Sequence, residues 1–216
     1  KKLNGRIFTP QRNELDLLNL DLTKSWFKKN KPTVLIIAAA RVGGILANAS
    51  KPADFLFDNL RIQNNLFECI KEFGIKRLLF LGSSCIYPKF APQPIKEDHL
   101  LSGYLEPTNQ WYAIAKISGI KLCESFREQY GIDALSLMPT NLYGPGDNYH
   151  KVDSHVMASF IRKFYEAKIS NSLEVNCWGT GSPLREFLHV DDLARAVLFA
   201  LENWDPNHKN SPRNEN

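Results

Sequence analysis

The sequence has no long hydrophobic run. Its longest uninterrupted apolar stretch covers residues 34–40, far below the roughly 20 residues that a membrane-spanning helix needs. It also lacks the opening of a signal peptide, in which a charged segment leads into an apolar one. We therefore expect neither membrane insertion nor secretion, but a protein of the cytoplasm.

Cysteine is scarce, and charge of one sign is not in large excess. Four cysteines lie at positions 69, 85, 123 and 177 without the C-x-x-C spacing of zinc or redox sites. This spacing predicts reduced cytosolic thiols and no metal site. The 27 Lys and Arg residues exceed the 23 Asp and Glu residues by a net charge of +4, too dispersed for a nucleic-acid partner although an anionic ligand is compatible with it.

A glycine-rich turn is also missing. A dinucleotide-binding domain normally opens with a strand, a G-x-G-x-x-G turn and a helix whose first turn holds the pyrophosphate. Gly43 and Gly44 follow a predicted strand without a third glycine, and Gly179 and Gly181 lead into a proline rather than a helix. The pattern therefore starts at what would be the second strand of a doubly wound domain.

What is present is an alternation of short apolar runs with amphipathic segments over 216 residues, enough for one domain or slightly more. Strands are predicted at residues 34–39, 77–82, 134–139 and 173–178, with a shorter one at 6–9. Helices are predicted at 21–29, 53–73, 109–130, 154–167 and from about residue 191. The fold class is α/β: a doubly wound, Rossmann-like parallel sheet that lacks its first βα unit.

The sharpest motif is Y-x-x-x-K, formed by Tyr112 and Lys116 on a predicted helix. A spacing of four places both side chains on one helical face. An ammonium about 5 Å from a phenol supplies about 3 kcal/mol of the roughly 4 kcal/mol that brings a tyrosine pKa from about 10 to about 7. The motif alone is common by chance. Ser83 and Ser84, which follow a predicted strand, strengthen it because ligands of open α/β sheets bind at that edge.

Further motifs carry a resemblance to a family. The Tyr/Lys pair, P-T-N-x-Y-G-P at 139–145 and R-E-F-x-H-V-D-D at 185–192 occur across sugar-nucleotide epimerases, whereas A-A-A-R-V-G-G-I at 38–45 and S-S-C-I-Y-P at 83–88 are more particular. Over about residues 12–203 the chain resembles the GDP-L-fucose synthases. These are the GDP-4-keto-6-deoxy-D-mannose 3,5-epimerase/4-reductases of the extended short-chain dehydrogenase/reductase family. The resemblance implies NADP(H) as cofactor, a GDP-sugar as substrate and a homodimer.

The resemblance also implies roles for single residues. Cys85 and His155 would be the acid/base pair that inverts carbons 3 and 5, although each has a simpler interpretation, as a buried apolar residue and a surface helix start respectively. Tyr112 would protonate the oxygen at carbon 4 after hydride transfer. Ser83 would position that oxygen, and Lys116 would lower the tyrosine pKa and hold the nicotinamide ribose.

The ligand contacts implied in this way fall into two groups. The cofactor group consists of Arg12, Gly82, Ser83, Ser84, Lys116, Pro139, Thr140, Asn141, Leu142 and His155. The segment directly after residues 6–9 reads P-Q-R at 10–12, with no acidic residue to bind the ribose 2′-hydroxyl of NAD. An arginine suits the 2′-phosphate of NADP, although an isolated arginine is usually a surface residue without a binding role. The substrate group consists of Lys163, Trp178 and Arg185. Lys163 occupies a position where the family commonly has arginine. A lysine ammonium is a compact charge and cannot make the two parallel hydrogen bonds of a guanidinium.

The same resemblance divides the chain. Residues 1–150 form an incomplete NADP-binding domain, 151–204 a partial substrate-binding region interleaved with the last Rossmann elements, and 205–216 a polar tail. Helices 53–73 and 109–130 provide the dimer surface or simply cover the sheet. Because the family's glycine-rich turn and C-terminal portion do not appear, we expect a truncated chain that binds NADPH weakly and turns over slowly or not at all.

Two alternatives stay open at this point. The first is another extended-family NAD(P)-dependent sugar-nucleotide epimerase or dehydratase that acts on a UDP- or dTDP-sugar, against which Cys85 and His155 argue. The second is a non-catalytic remnant that keeps the fold as an interaction module, which the missing glycine-rich turn favours.

Overall fold

The computed structural model describes residues 5–151 and 153–205. Its main sheet has three parallel strands in the order β1 (Val34–Ile37), β2 (Arg77–Leu81) and β3 (Asp133–Leu137). Two further strands, β4 (Asn141–Tyr143) and β5 (Phe187–His189), pair in parallel as a second sheet. The helices within the described ranges are α1 (Leu20–Asn30), α2 (Ile45–Ser50), α3 (Pro52–Phe73), α4 (Gln110–Tyr130), α5 (Val156–Ile169) and α6 (Val190–Asn203).

Helices α3 and α4 are the crossovers of the main sheet. Both end at a glycine in the left-handed region, Gly74 at φ 69° and Gly131 at φ 64°, a conformation that other residues adopt at a cost. The strands that follow start in register, because Val34 pairs with Arg77 and Arg77 with Asp133. The carboxyl ends of all three strands therefore meet at one edge of the sheet.

The two faces of β2 are covered by different helices. Leu78 and Phe80 pack in a core with residues of α3 and α4, whereas Leu79 faces Leu193 and Val197 of α6. A strand buried on both faces needs a continuous apolar run, which is what residues 78–81 supply. Helices on both faces of a parallel sheet confirm the doubly wound α/β class.

Two of the predicted strands are wrong. Residues 173–178 form no strand, and Leu173 is fully exposed. The apolar side chains of this segment do not pack against a sheet. Residues 6–9 form no strand either. Strands β4 and β5 were not expected. Pro139 explains the break between β3 and β4, since a residue without an N–H cannot continue a central ladder.

The remaining expectations concern the ends of the chain and the membrane. Asp205 is the one residue of the predicted tail 205–216 that falls within the described part of the chain; residues 206–216 lie outside it. Across the described helices, none combines the length and the hydropathy that crossing a membrane requires.

Candidate functional site

The segment that follows β2 is held tightly at the carboxyl edge of the sheet. The Gly82 N–H donates to the Leu137 carbonyl at 2.8 Å, and the Ser84 N–H donates to the Pro139 carbonyl at 3.0 Å. A Cβ on Gly82 would lie 3.3 Å from both the Leu137 oxygen and Ile120 Cδ1. Glycine therefore permits the close approach of this segment to β3 and α4.

Ser83 and Cys85 are positioned by a short 3₁₀ turn over Ser84–Ile86. The Ser83 hydroxyl caps this turn by accepting from the Cys85 N–H at 3.4 Å. The Cys85 side chain is half-buried. Both expected catalytic groups of this segment therefore lie at the sheet edge where open α/β folds bind their ligands.

Tyr112 and Lys116 lie on one face of α4, as their spacing predicts. The Lys116 Nζ is 5.7 Å from the centroid of the Tyr112 ring and 4.8 Å from that of the Phe80 ring. It donates to the Leu81 carbonyl at 2.7 Å, and the residue is only 3% exposed. The end of β2 and the first half of α4 thus meet at this ammonium.

The electrostatics of this cluster differ from the sequence-based expectation in one respect. Burial raises the pKa of Tyr112 above its ordinary value, and the nearby Cys85 adds to the effect, so the expected lowering by Lys116 does not appear. The ammonium lies over the Tyr112 ring and donates its hydrogen bond to the Leu81 carbonyl. Burial also lowers the pKa of Lys116 to about 8.

The thiol of Cys85 is subject to opposing effects. Burial raises its pKa, while the hydrogen bond with Ser83 and the positive charge of Lys116 act in the opposite direction. A buried thiol is expected to stay protonated at neutral pH. Lys116 and Ser83 are the groups that would stabilise its thiolate when a proton is transferred.

The same cluster fits the ribose of a nicotinamide nucleotide. An ammonium has three N–H donors, and within the described part of the chain Lys116 hydrogen-bonds to one acceptor, the Leu81 carbonyl. Vicinal hydroxyl oxygens of a ribose are suitable acceptors for the other donors. The Asn109 Oδ1 at the start of α4 is likewise buried without a hydrogen-bond partner in the described chain.

The other expected cofactor residues lie in several different environments. Thr140 Oγ1 and Asn141 Nδ2 both donate to the Glu186 carbonyl, at 2.9 and 3.0 Å. These side chains tie β4 to the segment that enters β5, and Leu142 packs against the α6 side of the core. Arg12 lies exposed in a turn shortly after residues 6–9.

His155 is exposed at the N-cap of α5, and its side chain makes no capping hydrogen bond there. Within the described part of the chain no hydrogen bond joins His155 to Cys85. The assignment of these two residues as an acid/base pair therefore stays a prediction.

Two of the three expected substrate residues lie together. An open cavity of about 430 Å³ lies between α5 and residues 170–178, and both Lys163 and Trp178 line it. The Lys163 Nζ donates to the Asn176 carbonyl at 2.9 Å and lies 5.0 Å from the Trp178 ring centroid. Arg185 is exposed outside this lining and donates to the Leu184 carbonyl at 2.7 Å.

A loop clamp at the same sheet edge was not anticipated. The Arg41 N–H donates to Asn59 Oδ1 at 2.8 Å, and Asn59 Nδ2 donates to the Arg41 carbonyl at 3.0 Å. The Arg41 guanidinium also pairs with Asp54, at 3.1 Å, and with Asp58. These contacts fix the loop after β1 against α3. Arg41 lies within the A-A-A-R-V-G-G-I motif, but its partners in α3 lie outside that motif, so the sequence pattern did not indicate these contacts.

Phe80 and Gly119 were also missed. Phe80 looks like an ordinary strand residue, and its contact with Lys116 depends on packing between distant elements. Gly119 does carry a signal, because glycine in a helix interior is unfavourable relative to alanine and marks close packing. For metals, the described His, Cys, Asp and Glu side chains form no group suited to hold an ion.

The sequence matches a family model described as the NAD dependent epimerase/dehydratase family over residues 2–212. Among curated relatives, it is 60% identical over 191 residues to GDP-L-fucose synthase 1 of Arabidopsis thaliana, covering 88% of this chain and 59% of the relative. It is 52% identical over 191 residues to the GDP-L-fucose synthase of Escherichia coli, covering 88% and 60%. The chain thus spans about three fifths of the length of these relatives.

Solved structures give the same picture of the fold. A GDP-L-fucose synthetase from Naegleria fowleri bound to NADP is 34% identical with a TM-score of 0.78, covering 88% of this chain and 62% of that one. A GDP-6-OMe-4-keto-L-xylo-heptose reductase from C. jejuni is 33% identical with a TM-score of 0.86, covering 96% and 68%. Both likenesses agree with the α/β fold described above.

Proposed function

Because this chain belongs to the NAD dependent epimerase/dehydratase family, we propose that it carries the catalytic centre of an NADPH-dependent GDP-L-fucose synthase. The reaction is the 3,5-epimerisation and 4-reduction of GDP-4-keto-6-deoxy-D-mannose to GDP-L-fucose. The observation that carries this proposal is the grouping of Cys85, Tyr112 and Lys116 at the carboxyl edge of the sheet. The identity of 60% to a GDP-L-fucose synthase supports it.

In the reduction, Tyr112 donates its phenolic proton to the oxygen at carbon 4. Its raised pKa keeps the phenol protonated at neutral pH, as a proton donor requires. The Ser83 hydroxyl donates a hydrogen bond to the same oxygen, and Lys116 holds the ribose hydroxyls through its remaining N–H donors. NADPH, when bound, supplies the hydride. Hydride and proton together convert the carbonyl to the alcohol.

In the epimerisation, Cys85 and His155 act on carbons 3 and 5. Both carbons flank the carbonyl, so each C–H is acidic enough for a general base to remove its proton. One group takes the proton from one face, and the other returns a proton to the opposite face, leaving the composition unchanged. These roles are supported by the half-buried Cys85 thiol near Lys116 and by the exposed His155 imidazole, which makes no capping hydrogen bond.

Ligand binding follows the division of the chain that we propose, with the cofactor on residues 1–150 and the substrate on 151–204. Arg12 contacts the 2′-phosphate, and residues 82–84 and 139–142 contact the nucleotide. Lys163 and Trp178 contact the GDP-sugar across the cavity beside α5. The Arg185 guanidinium suits the diphosphate, because it binds such oxygens through two parallel hydrogen bonds.

We further propose a cytoplasmic homodimer that forms through α3 and α4. Phe57 of α3 and Ile114 of α4 are exposed apolar residues on these helices. Light scattering on Phe57→Glu should report monomers, whereas Phe164→Glu on the exposed face of α5 should leave the dimer intact. A wild-type monomer would contradict the dimer.

The decisive experiment offers three substrates to the purified protein with NADPH: GDP-4-keto-6-deoxymannose and its UDP and dTDP analogues. Because this chain is expected to bind NADPH weakly, we expect slow NADPH oxidation, detectable with the GDP-sugar and with neither analogue, and a product that NMR identifies as GDP-L-fucose. Equal oxidation with a UDP- or dTDP-sugar would favour another member of the family. Absence of both turnover and NADPH binding would favour the non-catalytic remnant.

A further inference from the structure

Lys116 carries a positive charge that is buried without a carboxylate partner in the described part of the chain. The residue is 3% exposed, and among residues 5–151 and 153–205 no carboxylate forms an ion pair with it. An isolated ammonium is expensive to bury unless nearby groups stabilise it. The groups that surround this lysine must therefore stabilise its charge.

The titratable groups that face Lys116 do not offset its burial: Cys85 acts to raise the Lys116 pKa, but burial lowers this pKa by more. Tyr112 faces it from α4 and Cys85 from the 3₁₀ turn after β2. Burial raises the pKa of both groups, so both stay neutral near neutral pH. What faces the ammonium from β2 is instead the Leu81 carbonyl at 2.7 Å and the face of the Phe80 ring at 4.8 Å.

The Phe80 ring meets the conditions for a strong cation–π contact. An ammonium within about 6 Å of a ring centroid is attracted by the ring quadrupole, and the attraction grows when the pair is desolvated. Phe80 is fully buried. Two consecutive residues of β2 therefore hold one charge, Phe80 through its ring and Leu81 through its carbonyl.

Gly119 makes the space that this arrangement needs. It lies three residues after Lys116 in α4, and a Cβ there would stand 2.8 Å from both Cε1 and Cε2 of Phe80. Real side chains do not approach so closely, so any larger residue would displace the ring or the helix. Glycine in the middle of a helix is otherwise unfavourable.

We propose that Phe80 is a positioning residue for Lys116, whose ring face keeps the buried ammonium charged and directed at the sheet edge, and that Gly119 admits this ring. The role of Lys116 in the reaction rests on the proposed function. The contact itself rests on the packing of β2 against α4. Phe80 is fully buried and acts through the lysine.

The test measures the Lys116 amine directly. Nitrogen-15 NMR of the lysine side chains gives the pKa of Lys116, with its signal assigned by Lys116→Arg. Progressively fluorinated phenylalanines introduced at position 80 weaken the ring quadrupole while nearly keeping its shape. We expect the pKa of Lys116 to fall stepwise with fluorination, reaching about one pH unit for the most fluorinated ring.

Ordinary variants provide a matched comparison. Phe80→Leu keeps an apolar side chain but removes the ring face, and Gly119→Ala pushes the ring away, so both should lower the Lys116 pKa. Phe67→Leu removes another buried ring of the same core and should leave that pKa unchanged while lowering the melting temperature comparably. An unchanged pKa in the fluorinated series would overturn the proposal.

The titration needs neither cofactor nor substrate, so it separates this proposal from the proposed function. A pKa that falls with fluorination supports the positioning role even where no turnover with the GDP-sugar is found. A pH profile of carbonyl reduction then gives the second readout. Its alkaline limb should move in parallel with the Lys116 pKa across the fluorinated series.

Discussion

The cluster around Lys116 and the segment from α5 to Arg185 are built in opposite ways. Lys116 is 3% exposed and lies where β2, α4 and the 3₁₀ turn meet, whereas Trp178 is 71% exposed in a segment without regular structure. Tyr112 and Cys85, for which we propose proton transfer, are thus positioned by the sheet core. Groups expected to recognise the substrate are presented on an open surface.

The difference has a physical cause in the helices that carry each region. Helix α4 buries seven residues against the sheet and α3, whereas α5 buries Ala158. Ile161, Phe164 and Ile169 of α5 are all about half exposed or more. We therefore expect changes in the first region to alter the chemistry sharply, and changes in the second to alter affinity mildly.

The largest expected effect comes from Tyr112→Phe. It removes the proton donor while keeping the ring, so kcat for carbonyl reduction should fall by about 10²–10⁴-fold with little change in KM. Tyr143→Phe, in β4, is the matched control and should keep nearly full activity. Steady-state NADPH oxidation measures both variants. A loss below tenfold in Tyr112→Phe would remove tyrosine from the role of donor.

Lys116→Met should change the dependence of stability on pH. The folded chain holds Lys116 with a pKa lowered to about 8, whereas an unfolded lysine titrates near about 10.4. Between these values the unfolded state binds more protons, so the stability contributed by this site rises with pH. The free energy of unfolding of the wild type, relative to Lys116→Met, should rise by about 3 kcal/mol between about pH 7 and pH 11.

Urea denaturation at several pH values provides this measurement, with the exposed Lys76→Met as control. The control difference should stay flat over the same range. A flat difference for Lys116→Met as well would mean that its ammonium is as well solvated in the folded chain as in the unfolded one.

Cys85→Ser should separate the two halves of the reaction. A serine hydroxyl is a far weaker acid than a thiol, so exchange of the protons at carbons 3 and 5 should slow about a hundred-fold. Reduction of a substrate already in the product configuration should be nearly unaffected. Deuterium uptake from solvent reports the first step and NADPH oxidation the second, with the exposed Cys177→Ser as control. Equal loss of both activities would refute a specific role for the thiol.

The smallest effect is expected in the open region. Trp178→Ala removes an exposed ring that Lys163 contacts, and exposed contacts of this kind contribute about 0.5–1 kcal/mol. KM for the GDP-sugar should therefore rise about two- to fivefold with kcat unchanged. Leu173→Ala, at a fully exposed position, should leave both constants unchanged. A fall in kcat for Trp178→Ala would place this residue closer to the chemistry than we propose.

Local patterns predicted the elements that recur along the chain. The strands at 34–37, 77–81 and 133–137 lie within or beside the predicted runs, and the two long helices begin and end within one residue of their predicted bounds. Residues 173–178 are an exception, because the strand that their local pattern predicts does not form. Their apolar alternation is typical of a strand, but a strand also needs a partner, and pairing is decided between distant segments.

The sequence by itself determined the parallel α/β fold and the pairing of Tyr112 with Lys116, because hydrophobic periodicity and helical spacing are local properties. The roles of Cys85 and His155 stay predictions that no contact in the structure tests. Tertiary structure alone decided the direction of the Tyr112 pKa, the contact of Lys116 with Phe80 and Leu81, and the exposure of Trp178. These properties depend on burial and on side chains from different elements, neither of which a linear pattern contains.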